Sequence, residues 1–397
     1  MVDGVHRKGE RAAGVPLRRR SLLKGFAGVA GAALAGSLVT PAKADTARVS
    51  ADVAPFDGDL TRRVLLGDGH ALLALALIHP DPVSLLAGWQ GDLKRHSTVI
   101  YAQYAERFPA IADVPVVGEA SPDTFSIEAA LATDPAVAIL AGSYGPGPED
   151  THVVERLEAA GIRVVFVDFY AKPLENTAPS MRALGRLFGG EVEEKAEAFA
   201  AFHEERLARV RKRLAAEAPA RPSVLLQAHS GAQGWDCCYV PGRAGLGEFI
   251  DAAGGANIGD ALSDNRPWVR TGLEYVLAQD PDLVVATGGP YLAGTGGPVI
   301  GPGVSQDEAR ASLAAALQSA EIGVLPAVRD GRAFGLWHLL QATPLNAIAL
   351  EALARWQHPA LFADIDPQAT MAEINTRFLA VPLEGCFAVS LEGVRKR

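Results

Sequence analysis

Cysteine is scarce in this chain, with three among 397 residues: Cys237, Cys238 and Cys386. That number and spacing exclude a disulfide-framework fold and the paired cysteines of a zinc finger. In an oxidising compartment the adjacent pair can close a ring, one member can join Cys386, or all three can stay as buried thiols. Positive charge is also in deficit: 37 Lys and Arg face 46 Asp and Glu, a formal net charge of −9. Such a balance argues against non-specific binding to nucleic acid and against attraction to anionic membrane surfaces. Beyond Ala44 no stretch holds the ~20 consecutive apolar residues of a membrane span. The chain also lacks a Gly-x-Ser-x-Gly elbow, a phosphate loop and a His-Glu-x-x-His zinc motif. Gly294, Gly296, Gly297, Gly301 and Gly303 do not form a dinucleotide fingerprint, because Pro298 and Pro302 interrupt them, so they read as a loop.

What is present begins with an export signal. Arg18-Arg19-Arg20-Ser21-Leu22-Leu23-Lys24 precedes an apolar Gly/Ala-rich run from Gly25 to Val39 and then Ala42-Lys43-Ala44. A basic region with paired arginines, a short apolar segment and an Ala-x-Ala site make a twin-arginine signal peptide over residues 1–44. The run is too short for a spanning helix. No cysteine stands at the cleavage point to carry a lipid. Residues 1–44 hold eight of the 37 basic residues and two of the 46 acidic ones, so the exported remainder carries −15.

The 353 residues left exceed what one hydrophobic core usually serves, which predicts two domains. Short, nearly all-apolar runs occur at Arg63–Leu66, Val83–Ala87, Val114–Val117, Val137–Ala141 and Val164–Val167. They read as buried parallel strands. Helix-compatible stretches at Ser97–Arg107, Ser126–Thr133 and Thr151–Ala160 separate them, the last closed by Gly161. Leu174–Glu217 is rich in Ala, Glu, Arg and Leu, and from Glu191 onward it can form one long helix. Alternation then resumes, with strands at Val224–Gln227, Leu283–Ala286 and Ala333–Trp337 and helices at Leu246–Ala253, Leu273–Gln279, Glu308–Gln318 and Pro344–Trp356. The expected fold is α/β: two lobes with central parallel sheets, joined by a single long helix, with a ligand cleft between them. The predicted boundaries are 60–172 for the first lobe, 173–220 for the connecting helical region and 221–397 for the second lobe.

The two halves share a unit. Ile127-Glu128-x-x-Leu131-Ala132-x-Asp134-Pro135-x-Val137 matches Leu273-Glu274-x-x-Leu277-Ala278-x-Asp280-Pro281-x-Leu283 at an offset of 146 residues. In each copy a helix stops at Asp-Pro, because Pro forbids its continuation, and a buried strand follows. Glu128 and Glu274 are not required by packing, although an acid near a helix N-terminus gains a few tenths of a kcal/mol.

This double unit, the long helix after Asp168, the phrase Phe249-Ile250-Asp251-Ala252-Ala253-Gly254-Gly255-Ala256-Asn257-Ile258 and the strand Leu283–Gly289 resemble the helical-backbone family of periplasmic binding proteins. That family serves importers of ferric siderophores, haem and cobalamin. The similarity runs from about Arg62 to Leu391. It implies a rigid inter-lobe helix, a ligand in a shallow cleft, and an acidic residue on each lobe, here Glu128 and Glu274, that meets permease arginines. The Cys237-Cys238 segment stands outside the general family pattern.

In open α/β sheets ligands bind beyond the carboxyl ends of the strands. The candidates there or nearby in sequence are His70, Trp89, Tyr144, Tyr170, His229, Trp235, Tyr239, Arg243, Trp268, Arg270, Tyr291, Arg332, Trp337 and His338. Aromatic walls with a few arginines suit a large, flat or anionic chelate, since guanidinium pairs with carboxylate or catecholate oxygens and stacks on rings. Each also has an ordinary role: tyrosines and tryptophans at strand ends are often wall residues, and surface arginines commonly sit in ion pairs. His70, His229 and His338 admit direct metal or haem ligation, yet no ligand-type spacing ties them together.

The expected function is an extracytoplasmic, periplasmic solute-binding protein that delivers an Fe(III) chelate of the siderophore type to an ABC permease and its ATPase in the inner membrane. A monomer is expected, with no catalytic residues, no resident cofactor, no built-in metal and no nucleic-acid partner. Haem, cobalamin or a bare transition-metal ion are the alternative cargoes, and a secreted oxidoreductase with a bound cofactor is the alternative class.

Overall fold

The computed structural model describes residues 48–235, 237–263 and 266–391. The export signal therefore lies outside the described residues. The first lobe carries β1 (Val64–Leu66), β2 (Leu86–Gln90), β3 (Val116–Gly118), β4 (Val137–Leu140) and β5 (Arg163–Phe166). They form one parallel sheet in the order β3-β2-β1-β4-β5. Every residue of β1, β2 and β4 is buried, which is why these strands are apolar throughout rather than alternating. On one face lie the helices Ile127–Ala132 and Thr151–Ala159, enclosing a small core around Leu65, Ala138, Leu140 and Leu157.

The second lobe carries β6 (Ser223–Ala228), β7 (Tyr239–Val240), β8 (Ala256–Asn257), β9 (Val269–Arg270), β10 (Leu283–Gly288), β11 (Gly301–Pro302), β12 (Ala333–Trp337), β13 (Gly385–Cys386) and β14 (Ala388–Ser390). Its main sheet has the order β14-β12-β10-β6-β8, parallel except for the antiparallel edge β14. Two short antiparallel ribbons, β7 with β9 and β11 with β13, stand apart from it.

Between the lobes the chain forms a helix over Pro173–Phe188, turns at Gly189, and runs as a 28-residue helix over Gly190–Glu217. At 1.5 Å per residue this rod is about 42 Å long. The two helices approach so closely that a Cβ on Gly185 would lie 2.5 Å from the Ala196 Cβ, so glycine is required there. Arg182 fastens them by donating to Glu197 at 2.7 Å and to Glu204 at 2.6 Å. The rod is also pinned to the second lobe. His203 Nε2 pairs with Asn346 Oδ1 at 2.7 Å, and Arg209 donates to the buried Glu351 at 2.7 Å. One apolar core runs from the first lobe through Phe199 and Phe202 of the rod into the second.

The repeated unit has a backbone signature: Asp134 (φ +50°) and Asp280 (φ +40°) both take the left-handed conformation that closes a helix, directly before their prolines. Some elements differ from expectation. The second strand starts at Leu86, because Pro82–Leu85 forms a 3-10 turn held by Ser84 N donating to Asp81. The last predicted helix begins at Ala347, after a 3-10 turn over Pro344–Asn346. A helix over Ala71–Ile78, buried along its whole length, was not expected.

Candidate functional site

The chain leaves β1 toward β2 on one side and meets β4 on the other, so the carboxyl end of β1 is the switch point of the first sheet. Asp68, Gly69 and His70 stand there, with Asp92 beyond β2 and Ser143 beyond β4. Asp92 Oδ1 accepts from Gly69 N at 2.6 Å, and its Oδ2 accepts from His70 N at 3.1 Å and from the His70 ring Nδ1. A Cβ on residue 69 would lie 2.4 Å from the Gln90 carbonyl oxygen, so only glycine admits this approach. Asp68 accepts from His70 N at 3.1 Å, from Tyr144 N at 2.9 Å and from the Ser143 hydroxyl. The His70 Nε2 pairs with Ser97 Oγ at 3.0 Å.

Asp68, His70 and Asp92 are all buried, and their ligand-type atoms lie within 4.8 Å of one another. Every carboxylate oxygen already takes a donor from the protein, so the arrangement is a satisfied hydrogen-bond network rather than an open metal cage. Burial, reinforced by the charge of Asp92, raises the Asp68 pKa to about 7. For His70 burial opposes charge, but the neighbouring Asp92 carboxylate outweighs it and the net shift is upward. The His70 ring supports Tyr144 from below, with centroids 5.2 Å apart.

The second lobe offers a different set. His229 follows β6 with φ +52°, in the left-handed region that few residues other than glycine adopt. Its Nε2 pairs with Tyr291 Oη at 2.7 Å, while its Nδ1 is buried without a hydrogen-bond partner among the described residues. Trp235, 38% exposed, packs edge-on over His229 with centroids 4.3 Å apart. His338, after β12, lies 4.4 Å from His229 and stacks on Trp268 at 5.3 Å. Thr287 Oγ1 and Gln341 Nε2, each at 2.8 Å, hold its two nitrogens. The ribbon β7–β9 supplies Tyr239, 5.2 Å from Trp235, and Arg270, whose guanidinium lies 5.9 Å above the Tyr239 ring.

The lobes meet through rings. His96, from the short helix Asp92–His96 of the first lobe, lies 5.6 Å from Tyr144 and 6.0 Å from Tyr291 of the second. Tyr170, beyond β5, faces Trp268 of the second lobe, whose indole works against the rise that burial gives the Tyr170 phenol. Burial lowers the pKa of all three cleft histidines, to about 4 for His229; the charge of His96 adds to this for His229, those of His229 and His96 for His338, and that of His70 for His96. Burial likewise raises the phenols of Tyr144, Tyr170 and Tyr291, that of Tyr170 to about 12. Apart from the Arg270 guanidinium, the cleft lining is therefore neutral near pH 7: free-base imidazoles that accept hydrogen bonds or ligate metal, and phenols that donate.

Of the residues expected to line the site, the structure gathers Tyr144, Tyr170, His229, Trp235, Tyr239, Trp268, Arg270, Tyr291 and His338 around this cleft. His70 is one layer below, with both ring nitrogens engaged. Trp89 and Trp337 are 1% exposed and point into the cores, against Tyr101 and Phe387 respectively. Arg332 precedes β12 and acts on Asp282 at the amino ends of the strands, away from the cleft. Arg243 is exposed and acts on Asp260. His96 was not anticipated: in sequence it closes a Lys-Arg-His run that reads as a solvated face. Glu128 and Glu274 are exposed in the first turns of the helices Ile127–Ala132 and Leu273–Gln279. Each helix runs back to the amino end of the strand that follows, so both carboxylates flank the cleft side of their lobes. A groove of 980 Å³ lies elsewhere, between the helices Gln306–Ser319 and Ala347–Gln357 and β14, and includes none of the cleft residues.

The chain is 27% identical over 207 residues to a cobalamin-binding protein of Halobacterium salinarum, and spans about half of that relative's length (52% of each chain). Among solved structures it is similar to the TroA-like periplasmic binding protein FepB from Veillonella parvula, with a TM-score of 0.73 and 24% identity over 84% of this chain and 96% of that one. It is also similar to a periplasmic haem-binding protein from Pseudomonas aeruginosa, with a TM-score of 0.51 and 23% identity over 75% of this chain and 93% of the other. These structural likenesses show the fold. The family model described as periplasmic binding protein matches residues 76–336, well over half of the chain, and the protein therefore belongs to that family, whose members bind small solutes for ABC importers.

Proposed function

We propose that the protein captures an iron chelate of the siderophore type in the inter-lobe cleft and presents it, outside the cytoplasm, to an ABC permease and its ATPase. The observation that carries this reading is the ring of neutral aromatic and imidazole groups contributed by both lobes, His96 and Tyr144 on one side and His229, Tyr291, His338 and Trp268 on the other. Such a lining favours a bulky chelate with an uncharged or flat face over a small hydrated ion. Export through the signal at residues 1–44 and docking through Glu128 and Glu274 complete the proposed role.

A corrinoid or haem is the second reading. The buried His229 Nδ1 without a partner is the kind of nitrogen that a metal with an exchangeable axial position takes. The sequence relative named for cobalamin binding and the structural relative named for haem binding point the same way.

Titrating the intrinsic tryptophan fluorescence with a ferric hydroxamate, a ferric catecholate, haemin, cyanocobalamin and zinc ion separates these readings. Saturable quenching by a ferric chelate is expected. Quenching by zinc ion alone, or by none of the five, contradicts the proposal.

A further inference from the structure

Chelate capture as described leaves the Cys237–Cys238 disulfide without a role. This ring sits between the two parts of the second lobe's cleft wall. On one side is the turn that places Trp235 over His229, closed by Trp235 N donating to Ala232 O at 3.0 Å. On the other is the ribbon β7–β9, which Cys238 extends by exchanging two backbone hydrogen bonds with Thr271, each 2.9 Å. The ring thus fixes the shape of residues 237 and 238, close in sequence to Trp235 and directly before the strand that carries Tyr239 and faces Arg270. Cys238 is buried, whereas Cys237 is partly exposed. Cys386 remains a free, buried thiol hydrogen-bonded to Ala388 O at 3.5 Å.

We propose that Cys237–Cys238 is a thiol–disulfide exchange site whose redox state sets the cleft wall and, through it, ligand affinity. The effect on affinity rests on the cleft being the ligand site; the exchange itself does not. A dithiol donor attacks Sγ of Cys237, the accessible sulfur, as a thiolate. The Cys237–Cys238 bond breaks, and Sγ of Cys238 leaves and takes up the proton the donor thiol released. The donor's second thiol then attacks the donor sulfur of the mixed disulfide, releasing Cys237 as a thiol and closing the donor's own disulfide. Two electrons and two protons pass from donor to protein. With the ring open, residues 237 and 238 gain freedom, and Trp235 no longer has to cover His229. Linkage requires the converse: a ligand that prefers one redox form shifts the exchange equilibrium by the same factor.

The test uses the full exported chain, oxidised, equilibrated in dithiothreitol buffers of graded potential with and without haemin, cyanocobalamin or ferrioxamine B. Alkylation and mass analysis report Cys237 and Cys238, the part of the tryptophan emission that Trp235→Phe removes reports Trp235 among the five tryptophans, and quenching reports affinity. Expected are reversible two-electron reduction of the folded protein, a shifted emission without ligand, and an affinity change of about five-fold or more, the lower end of ordinary coupling between sites. Cys237→Ser and Cys238→Ser reproduce the reduced form and ignore dithiothreitol; should they fail to fold, the reduction of the natural chain carries the test. Reduction only on unfolding, or identical emission and affinity in both forms, overturns the proposal. If none of the three probes quenches the oxidised protein, the cleft reading loses its support for those chelates. The exchange site is then decided by alkylation and emission, where unchanged emission on reduction overturns it and a reversible shift upholds it.

Discussion

The loops beyond β1, β2 and β4 and those beyond β6, β10 and β12 hold equivalent places in two similar sheets, yet they treat their polar groups in opposite ways. In the first lobe Asp68, His70 and Asp92 are buried and closed on one another, with each carboxylate oxygen receiving a donor. Among the described residues, His229 Nδ1, Ser230 Oγ and Gln341 Oε1 beyond the second lobe's strands are buried without partners, whereas such atoms of the first lobe, Trp89 Nε1 and Gln90 Oε1 among them, lie on its strands and helices rather than in these loops. A satisfied network resists rearrangement, while an unsatisfied buried atom costs about 1–3 kcal/mol until something pairs with it. The first lobe is therefore built as a rigid platform under Tyr144, and the second as the side that retains capacity for a ligand.

Breaking the platform is expected to have the largest effect. Asp92→Ala removes the acceptor of the His70 ring and of the Gly69 and His70 amides, all buried, and should destabilise the protein by ~3–5 kcal/mol, read by urea denaturation. A loss below ~1 kcal/mol would contradict the rigid platform. His229→Ala removes the partner of the Tyr291 hydroxyl, which should cost ~1–3 kcal/mol of stability, and should also weaken whichever chelate quenches the fluorescence by ~1–3 kcal/mol. Equal affinity would remove His229 from the site and with it the contrast between lobes.

The pH dependence sharpens the comparison because Asp68 and His70 carry the opposite sign to His229. Asp68, raised from 3.8 to about 7, holds a proton in the folded state that the unfolded chain releases, so its contribution is present at acid pH and lost as pH rises toward 7. His70 has the same sign: its contribution is full below 6.5 and is lost as pH passes its raised folded value. His229, lowered from 6.5 to about 4, contributes above 6.5 and loses that contribution as pH falls toward 4. Amide protection near Gly69 and Tyr144 should therefore weaken on going to pH ~8, and protection near His229 on going to pH ~4, with Asp68→Asn flattening the first profile. Parallel profiles in both lobes would contradict the assignment. The smallest expected effects lie away from the cleft. Glu128→Arg with Glu274→Arg should leave chelate affinity intact while lowering ATPase stimulation in the reconstituted importer. Arg332→Ala, at the far end of the sheet, should change affinity by less than ~0.5 kcal/mol.

Much of the scaffold is readable along the chain, because buried parallel strands are short apolar runs and the Asp-Pro unit repeats in both halves. The helix Ala71–Ile78 escapes the same logic: apolar on every side, it shows no periodicity of 3.6 and contains no turn signal. Strand-end counting finds the neighbourhood of the cleft but not the direction of each side chain. Trp89 and Trp337 lie in strands buried on both faces, where no alternation tells the core side from the cleft side. Arg332 was grouped with the cleft because it borders a strand, although it borders the amino end. His96 becomes visible only once β2 and the loop after β10 are brought together, a tertiary fact that no local pattern records. The ribbon β7–β9 has two residues in each strand, too few to declare themselves.

Histidine ring resonances offer the most direct view of where the chelate sits. With the quenching ferric chelate added in steps, its paramagnetic iron should broaden the signals of His96, His229 and His338 first, while those of His203, in the rod, and His358, beside Gly254, persist. Early broadening of His203 or His358, with the three cleft signals still sharp, would place the cargo outside the inter-lobe cleft and contradict the account.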